Sequence, residues 1–305
     1  MPTITNASVV NFPADISTEM FNSVQGHSSL ARLSNARPQS FSGTTEFVFS
    51  MDGEAEIVGE SGQKGPGEAS VAPVKRMPVK FIYQHRVSDE FLKQSDEARI
   101  PTLQAFAEGF AKKIARGLDI AAFHGINPKT GLASEVVGSN HFDAQVTQTA
   151  TYEAESADDS LDEAVQKVLG AEREVTGMAL SALMGNALSK VKVNGVAQYP
   201  EFRFGGRPES FGGRPVDVNT TVNKKIADKT TRDIAIVGDF ANAFKWGYAK
   251  NIPLEVIEYG DPDGQGDLKR QNQVVLRSEA YIGWAILDAK SFARVVETVT
   301  AGQTN

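Results

Sequence analysis

The chain has 305 residues, 41% of them hydrophobic and 23% charged, with a formal net charge of −7 and no cysteine. That length supports one large hydrophobic core or two modest ones. The acid excess argues against a protein that grips nucleic acid across a broad basic face, while leaving room for local contact with a polyanion. The missing cysteines exclude disulfides, thiolate nucleophiles and cysteine-ligated zinc or iron–sulfur centres.

No apolar run approaches the length of a membrane span, and Met1-Pro2-Thr3-Ile4-Thr5-Asn6 lacks a basic and then apolar leader pattern, so the expected location is the cytoplasm. Residues 1–42 are rich in Ser and Asn with isolated aromatics at Phe12, Phe21 and Phe41, and read as an extended arm that gains order on a neighbour.

The segment 43–87 reads as a long β-hairpin. Phe47, Phe49 and Met51 alternate with polar or smaller residues on the way out, and Val79, Phe81 and Tyr83 on the way back. The tip between them, Gly59 to Glu68, is turn chemistry and carries Lys64. An arm from Thr44 to Ile57 would reach roughly 45 Å, more than the roughly 40 Å width of a compact 200-residue body. A lone two-stranded ribbon is marginal in water, so this one is expected to lie on a neighbouring copy of the chain.

Ser88 is a suitable cap for a short helix at Asp89-Glu90-Phe91-Leu92. The longest helical pattern runs from Pro101, placed at the first helical position, to Phe123. Leu103, Ala107, Phe110, Ile114, Leu118 and Ala121 form its apolar stripe. A polar stretch to Asp158 follows, then an amphipathic helix over Leu161–Leu169 capped near Asp159 or Ser160, and a further helix at Ser181–Val191. The segment from Gly195 to Pro215 reads as a long loop rich in Gly, Phe and Arg, with Gly205, Arg207, Phe211 and Arg214 as its candidate contact residues. Three strands complete the chain: Ile234–Val237, Pro253–Tyr259 and Gln273–Leu287.

Motifs for chemistry are incomplete. The tip Gly59-x-x-Gly62-x-Lys64-Gly65 lacks the Gly-Lys-Ser/Thr ending of a phosphate loop, which weakens the reading of a phosphate-binding enzyme. Asp261 to Asp267 is similar to a calcium loop, but Asn272 stands where the closing Glu belongs, and a solvated turn is the better reading. His27, His85, His124 and His141 share no metal spacing, and His124 reads as a helix-end residue near the last carbonyls. No catalytic, cofactor or metal site is assigned.

The order of segments resembles the major capsid protein family of tailed double-stranded-DNA bacteriophages, the Hong Kong 97-like capsid fold. The resemblance rests on Ser88 to Leu92, Asp119 to Gly125 with Pro128 to Leu132, Phe211 to Val216, Ala235 to Phe240 with Phe244 and Trp246, and the closing Ala289 to Phe292. It implies an α+β fold with an arm (1–42), an extended loop (43–87) and a peripheral domain with a spine helix (88–139). An axial domain (140–260) and a return to the peripheral domain (261–305) would follow.

By the same resemblance the chain would self-assemble as pentamers and hexamers into an icosahedral virion shell around double-stranded DNA, without reading its sequence. Assembly would occur in the host cytoplasm, with scaffolding, portal and decoration proteins as partners. Many relatives begin with a cleaved scaffolding segment, whereas this chain starts on the arm. An encapsulin-type nanocompartment is the alternative. Phe47, Phe49, Met51, Lys64, Val79, Phe81 and Tyr83 are the expected intersubunit contacts. Some relatives join a hairpin Lys to a neighbour's Asn; that needs a neutral, desolvated amine, and the polar surroundings of Lys64 argue against it.

Overall fold

The computed structural model describes residues 27–52, 55–58, 60, 62, 63, 65–90, 96–223, 231–250 and 254–298. Strands β1 (Thr44–Asp52) and β2 (Glu68–Arg76) pair antiparallel from Thr44↔Arg76 to Asp52↔Glu68 and form a sheet of two strands. This is the hairpin, and its return arm differs from the sequence expectation. Val79, Phe81 and Tyr83 belong instead to β3 (Pro78–Ser88), which pairs with β13 (Gln273–Ile286). The returning strand Glu68–Arg76 is poor in bulky β-formers and contains Pro73, which an edge ribbon tolerates but a central strand does not.

Strand β13 organises the first body. One side pairs with β3, from Gln273↔Ser88 to Gly283↔Pro78. The other side pairs in turn with β12 (Leu254–Ile257) and β11 (Phe244–Lys250). Across this sheet lies the long helix α2 (Asp96–His124), which begins before Pro101 and carries it inside the helix. Leu118, Phe110 and Ile114 of its stripe meet Trp246, Trp284 and Ile282 in one buried core. Phe142, on the short helix α3 (Phe142–Gln145), centres an aromatic cluster: ring centroids of Phe292, Phe123, Phe244 and Phe240 lie 5.0, 5.5, 5.7 and 6.1 Å from it.

The second body is a mixed sheet of six strands in the order β4-β14-β10-β5-β9-β8. Its strands are β4 (Thr149–Thr151), β5 (Gly177–Leu180), β8 (Ser210–Phe211), β9 (Arg214–Val218), β10 (Thr231–Gly238) and β14 (Phe292–Thr298). The last strand of the chain therefore joins this sheet and not that of β13. Helices α4 (Ala157–Gly170) and α5 (Ala182–Leu188) cover it. Helix α4 starts earlier than the sequence indicates: Ser156 is the cap residue, and Ser160 Oγ accepts from Glu153 N and donates to Ser156 O. Helix α5 is capped by Ser181, whose Oγ accepts from Met184 N at 3.1 Å. A small hairpin, β6 (Lys192–Val193) and β7 (Val196–Ala197), leads into a 3-10 turn at Pro200–Gly205. The long glycine-rich loop is thus largely structured.

Candidate assembly surfaces

In an antiparallel ribbon, directly opposed residues share a face. The register places Phe47 opposite Pro73, Phe49 opposite Val71 and Met51 opposite Ala69, so these six positions form one apolar face. Phe47, Phe49 and Val71 are 71%, 62% and 58% exposed. Met51 shares the backbone register, and Lys64 lies outside the described residues. Single exposed apolar residues are ordinary, whereas this ribbon gathers a row of them along one face.

Val79 and Phe81 lie elsewhere. Both pack on the core of their own chain, with Phe81 6.3 Å from the Trp284 ring and against Gly117 of α2. A Cβ at Gly117 would lie 3.2 Å from Phe81, so this glycine admits the ring. Both are partly buried there and keep some exposed surface. Tyr83 is half-exposed and borders a groove between β3 and α2 with Phe106 and Gly109.

The hairpin joins the body at a tight polar knot. Gly43 has φ +91°, and a Cβ there would meet Met77 Sδ at 2.6 Å. Arg76 is buried; its Nη2 donates to Pro38 O at 3.3 Å and faces Glu46 at 3.5 Å. Burial lowers the Arg76 pKa, and Glu46 opposes that shift.

The segment before the hairpin is pinned by two carboxylates. Helix α1 (Ser29–Leu33) offers its first N–H groups to Asp119 of α2, which accepts from Ser29 N at 2.9 Å, Leu30 N at 3.3 Å, Ser28 Oγ at 2.5 Å and Thr221 Oγ1 at 2.8 Å. Complete burial pushes the Asp119 pKa up to about 6, with these hydrogen bonds opposing the rise. Asp217 of β9 accepts from Ser29 Oγ at 2.5 Å and Arg32 Nη1 at 3.1 Å. Further on, Arg37 N donates to Trp246 O, and Gly247 lets the arm approach: a Cβ there would lie 1.7 Å from Arg37 O.

Of the four loop residues singled out in the sequence, Gly205 and Arg207 face outward. Phe211 stacks edge-on with Tyr199 and Phe202, and Arg214 Nε donates to Val175 O at 2.9 Å. Those two hold the loop together. Sequence reasoning passed over Phe204, which is fully exposed.

Two clusters with metal-like composition are closed by guanidinium groups. His124, Asp143 and Asp233 bring their ligand atoms within 4.8 Å of one another. Arg294 Nη1 donates to Asp143 at 2.9 Å and Asp233 at 3.0 Å, while His124 Nε2 donates to Thr221 O at 3.0 Å. In the loop after β12, Arg86 donates to Asp263, Asp261 and Gly266 O. This holds the Asp263 pKa down at about 2. The loop is a turn stapled by Arg86.

The sequence matches the model of the phage capsid family over residues 10–296. The chain belongs to the phage capsid family. Among solved structures, this capsid protein is similar to a chain of Mycobacterium phage Ogopogo, with 34% identity and a TM-score of 0.75, covering 89% of this chain and 92% of that one. A chain of Gordonia phage Cozz is 26% identical with a TM-score of 0.72, covering 90% and 87%. The capsid of a native GTA particle shares the fold at 13% identity and a TM-score of 0.60, covering 99% and 96%. No protein of curated function matches the sequence. The role of this chain is therefore structural, as a capsid shell protein of the Hong Kong 97-like fold, and these matches do not favour the encapsulin alternative.

Proposed function

We propose that copies of this capsid protein associate as pentamers and hexamers, and that these close into an icosahedral head around double-stranded DNA. The observation that carries the reading is the ribbon β1–β2, where Phe47, Phe49 and Val71 of one apolar face are left largely exposed by the described residues. Phe47, Phe49 and Met51 contact the adjoining subunit, with Tyr83 at the rim of the groove beside α2. Val79 and Phe81 act indirectly, by fixing β3 and with it the base of the hairpin. The body built on β13 serves as the peripheral domain and the sheet of six strands as the axial domain. The DNA is enclosed without sequence-specific contact, consistent with a net charge of −7. Assembly takes place in the host cytoplasm together with scaffolding, portal and decoration proteins, and the chain performs no catalysis.

Many weak contacts per subunit suffice for a stable shell, because each copy is held by several neighbours at once. Electron microscopy of the purified protein tests this: closed shells are expected, and Phe49→Asp should leave a soluble subunit that forms none. Normal shells from that variant would remove the ribbon from the assembly mechanism.

A further inference from the structure

The two edges of the six-stranded sheet differ in charge. One edge is β4, which continues into residues 152–156 and α4. Glu153, Glu155, Asp159, Asp162 and Glu163 are exposed there, and the one base of α4, Lys167, pairs with Glu163 at 2.7 Å. Asp158 accepts from Tyr199 OH of the same chain and is not part of this surface. Leu169, 42% exposed, adds apolar area on the same helix. The far end of the sheet is β9 and β8 with the loop 200–208, which adjoins α4 through Tyr199; there Arg203 and Arg207 are exposed on either side of Phe204, with Glu201 and Glu209 exposed beside them.

That loop presents Phe204 on a stiff mount. Phe202 is buried 5.3 Å from the Phe211 ring, and Gly206 N donates to Arg203 O. A Cβ on Gly206 would lie 2.0 Å from Glu201 O, so the turn cannot relax around a larger residue. Phe204 itself has φ 57° and ψ 29°, a left-handed backbone that disfavours a bulky side chain, and its ring stands wholly in water. Among the described residues the ring's one printed contact is Arg203, whose Cζ lies 5.9 Å from its centroid and leaves it exposed. Strained, solvent-facing aromatic residues of this kind mark sites whose partner comes from outside.

We propose that Phe204, with Arg203 and Arg207, docks on the acidic edge formed by residues 152–156 and α4 of the next copy. The contact is heterologous, so repeating it around an axis closes a ring. The inference rests on the shell reading and specifies which surfaces make the ring.

Charge reversal at each edge tests it. Arg203→Glu with Arg207→Glu should abolish ring and shell formation, as should Glu155→Lys with Asp162→Lys, while both variants remain monomers with the wild-type unfolding midpoint. All four changes in one chain should restore assembly, because each ring contact then pairs reversed edges. Phe204→Gly removes the ring and the strain together: the midpoint of the subunit should not fall, while the critical concentration for assembly rises at least tenfold. Assembly at the wild-type concentration by either edge variant or by Phe204→Gly, or failure of the combined variant to recover, would overturn the proposal. If reversed subunits misfold, Phe204→Gly decides alone. Wild-type protein that forms no particles sinks the shell reading itself, whereas intact shells with indifferent edges sink only this contact.

Discussion

Replacing Phe49 by Ala separates association from folding. A phenylalanine side chain offers about 200 Å², and 62% exposure leaves roughly 120 Å² available to a neighbour. At about 25 cal/mol per Å², its burial between subunits contributes about 3 kcal/mol, of which the remaining methyl retains a little. With 1.4 kcal/mol per tenfold, the critical concentration for shell formation should rise about 50-fold. Sedimentation across a concentration series reads this directly. The unfolding midpoint of the isolated subunit should stay where it is, since Phe49 stands on the open face of the ribbon. Phe81→Ala supplies the contrast, because Phe81 packs against Trp284 and Gly117 in its own chain and its loss should lower that midpoint by several degrees. An unchanged critical concentration for Phe49→Ala, or a drop in its midpoint matching that of Phe81→Ala, would refute the reasoning.

Asp119 carries a pH signature. Its pKa rises from 3.8 to about 6 on folding, so the folded state holds the proton more tightly and stability declines by about 3 kcal/mol as pH rises through that window. Denaturant melts at pH 4 and pH 7 should show this decline in the wild type and not in Asp119→Asn; equal slopes would contradict it. Arg86→Met should open the Asp261–Asp267 turn to limited proteolysis while added calcium fails to protect the wild type, and calcium protection would mean the turn is a metal loop after all. Asp263, with its pKa lowered by Arg86, contributes stability that is present above pH 4 and disappears as pH falls toward 2. Gly247→Ala forces a methyl within 1.7 Å of Arg37 O and should destabilise the subunit by about 2 kcal/mol or more, read as a lower unfolding midpoint.

Local periodicity made much of this fold legible. The apolar stripe of α2 and the alternation along β13 are properties of short windows, and both windows fall inside the elements observed. The start of α2 was misjudged because Pro101 is an ordinary first-turn residue, yet the helix runs through it. The returning arm of the hairpin was misplaced for a different reason. Glu68–Arg76 alternates weakly, whereas Pro78–Ser88 alternates strongly, and only the pairing with β13 shows which of them faces β1. The polar staples were invisible. Asp119 meets Ser28 across 91 residues, and Arg86 meets Asp263 across 177, distances over which no spacing rule operates. Phe204 was hidden too, because an aromatic residue among glycines reads alike whether the turn buries it or turns it outward.

A shell protein must fold before its neighbours arrive and must then hold to several of them. This chain meets the two demands with different chemistry. Its internal long-range ties are charged and enclosed: Arg294 between Asp143 and Asp233, Asp119 at the head of α1, Arg86 in its turn. Such groups are costly to bury and costlier to leave unpaired, so they fix one arrangement within the subunit and offer little to an outside partner. The exposed apolar residues Phe47, Phe49 and Phe204 have the opposite character, with much to gain from an adjoining apolar surface and little of their area buried in their own subunit. Substitutions in the first group should therefore move the unfolding midpoint, and substitutions in the second should move the critical concentration. A residue of the ribbon face that moved both by similar amounts would show that the ribbon is part of the fold of its own subunit.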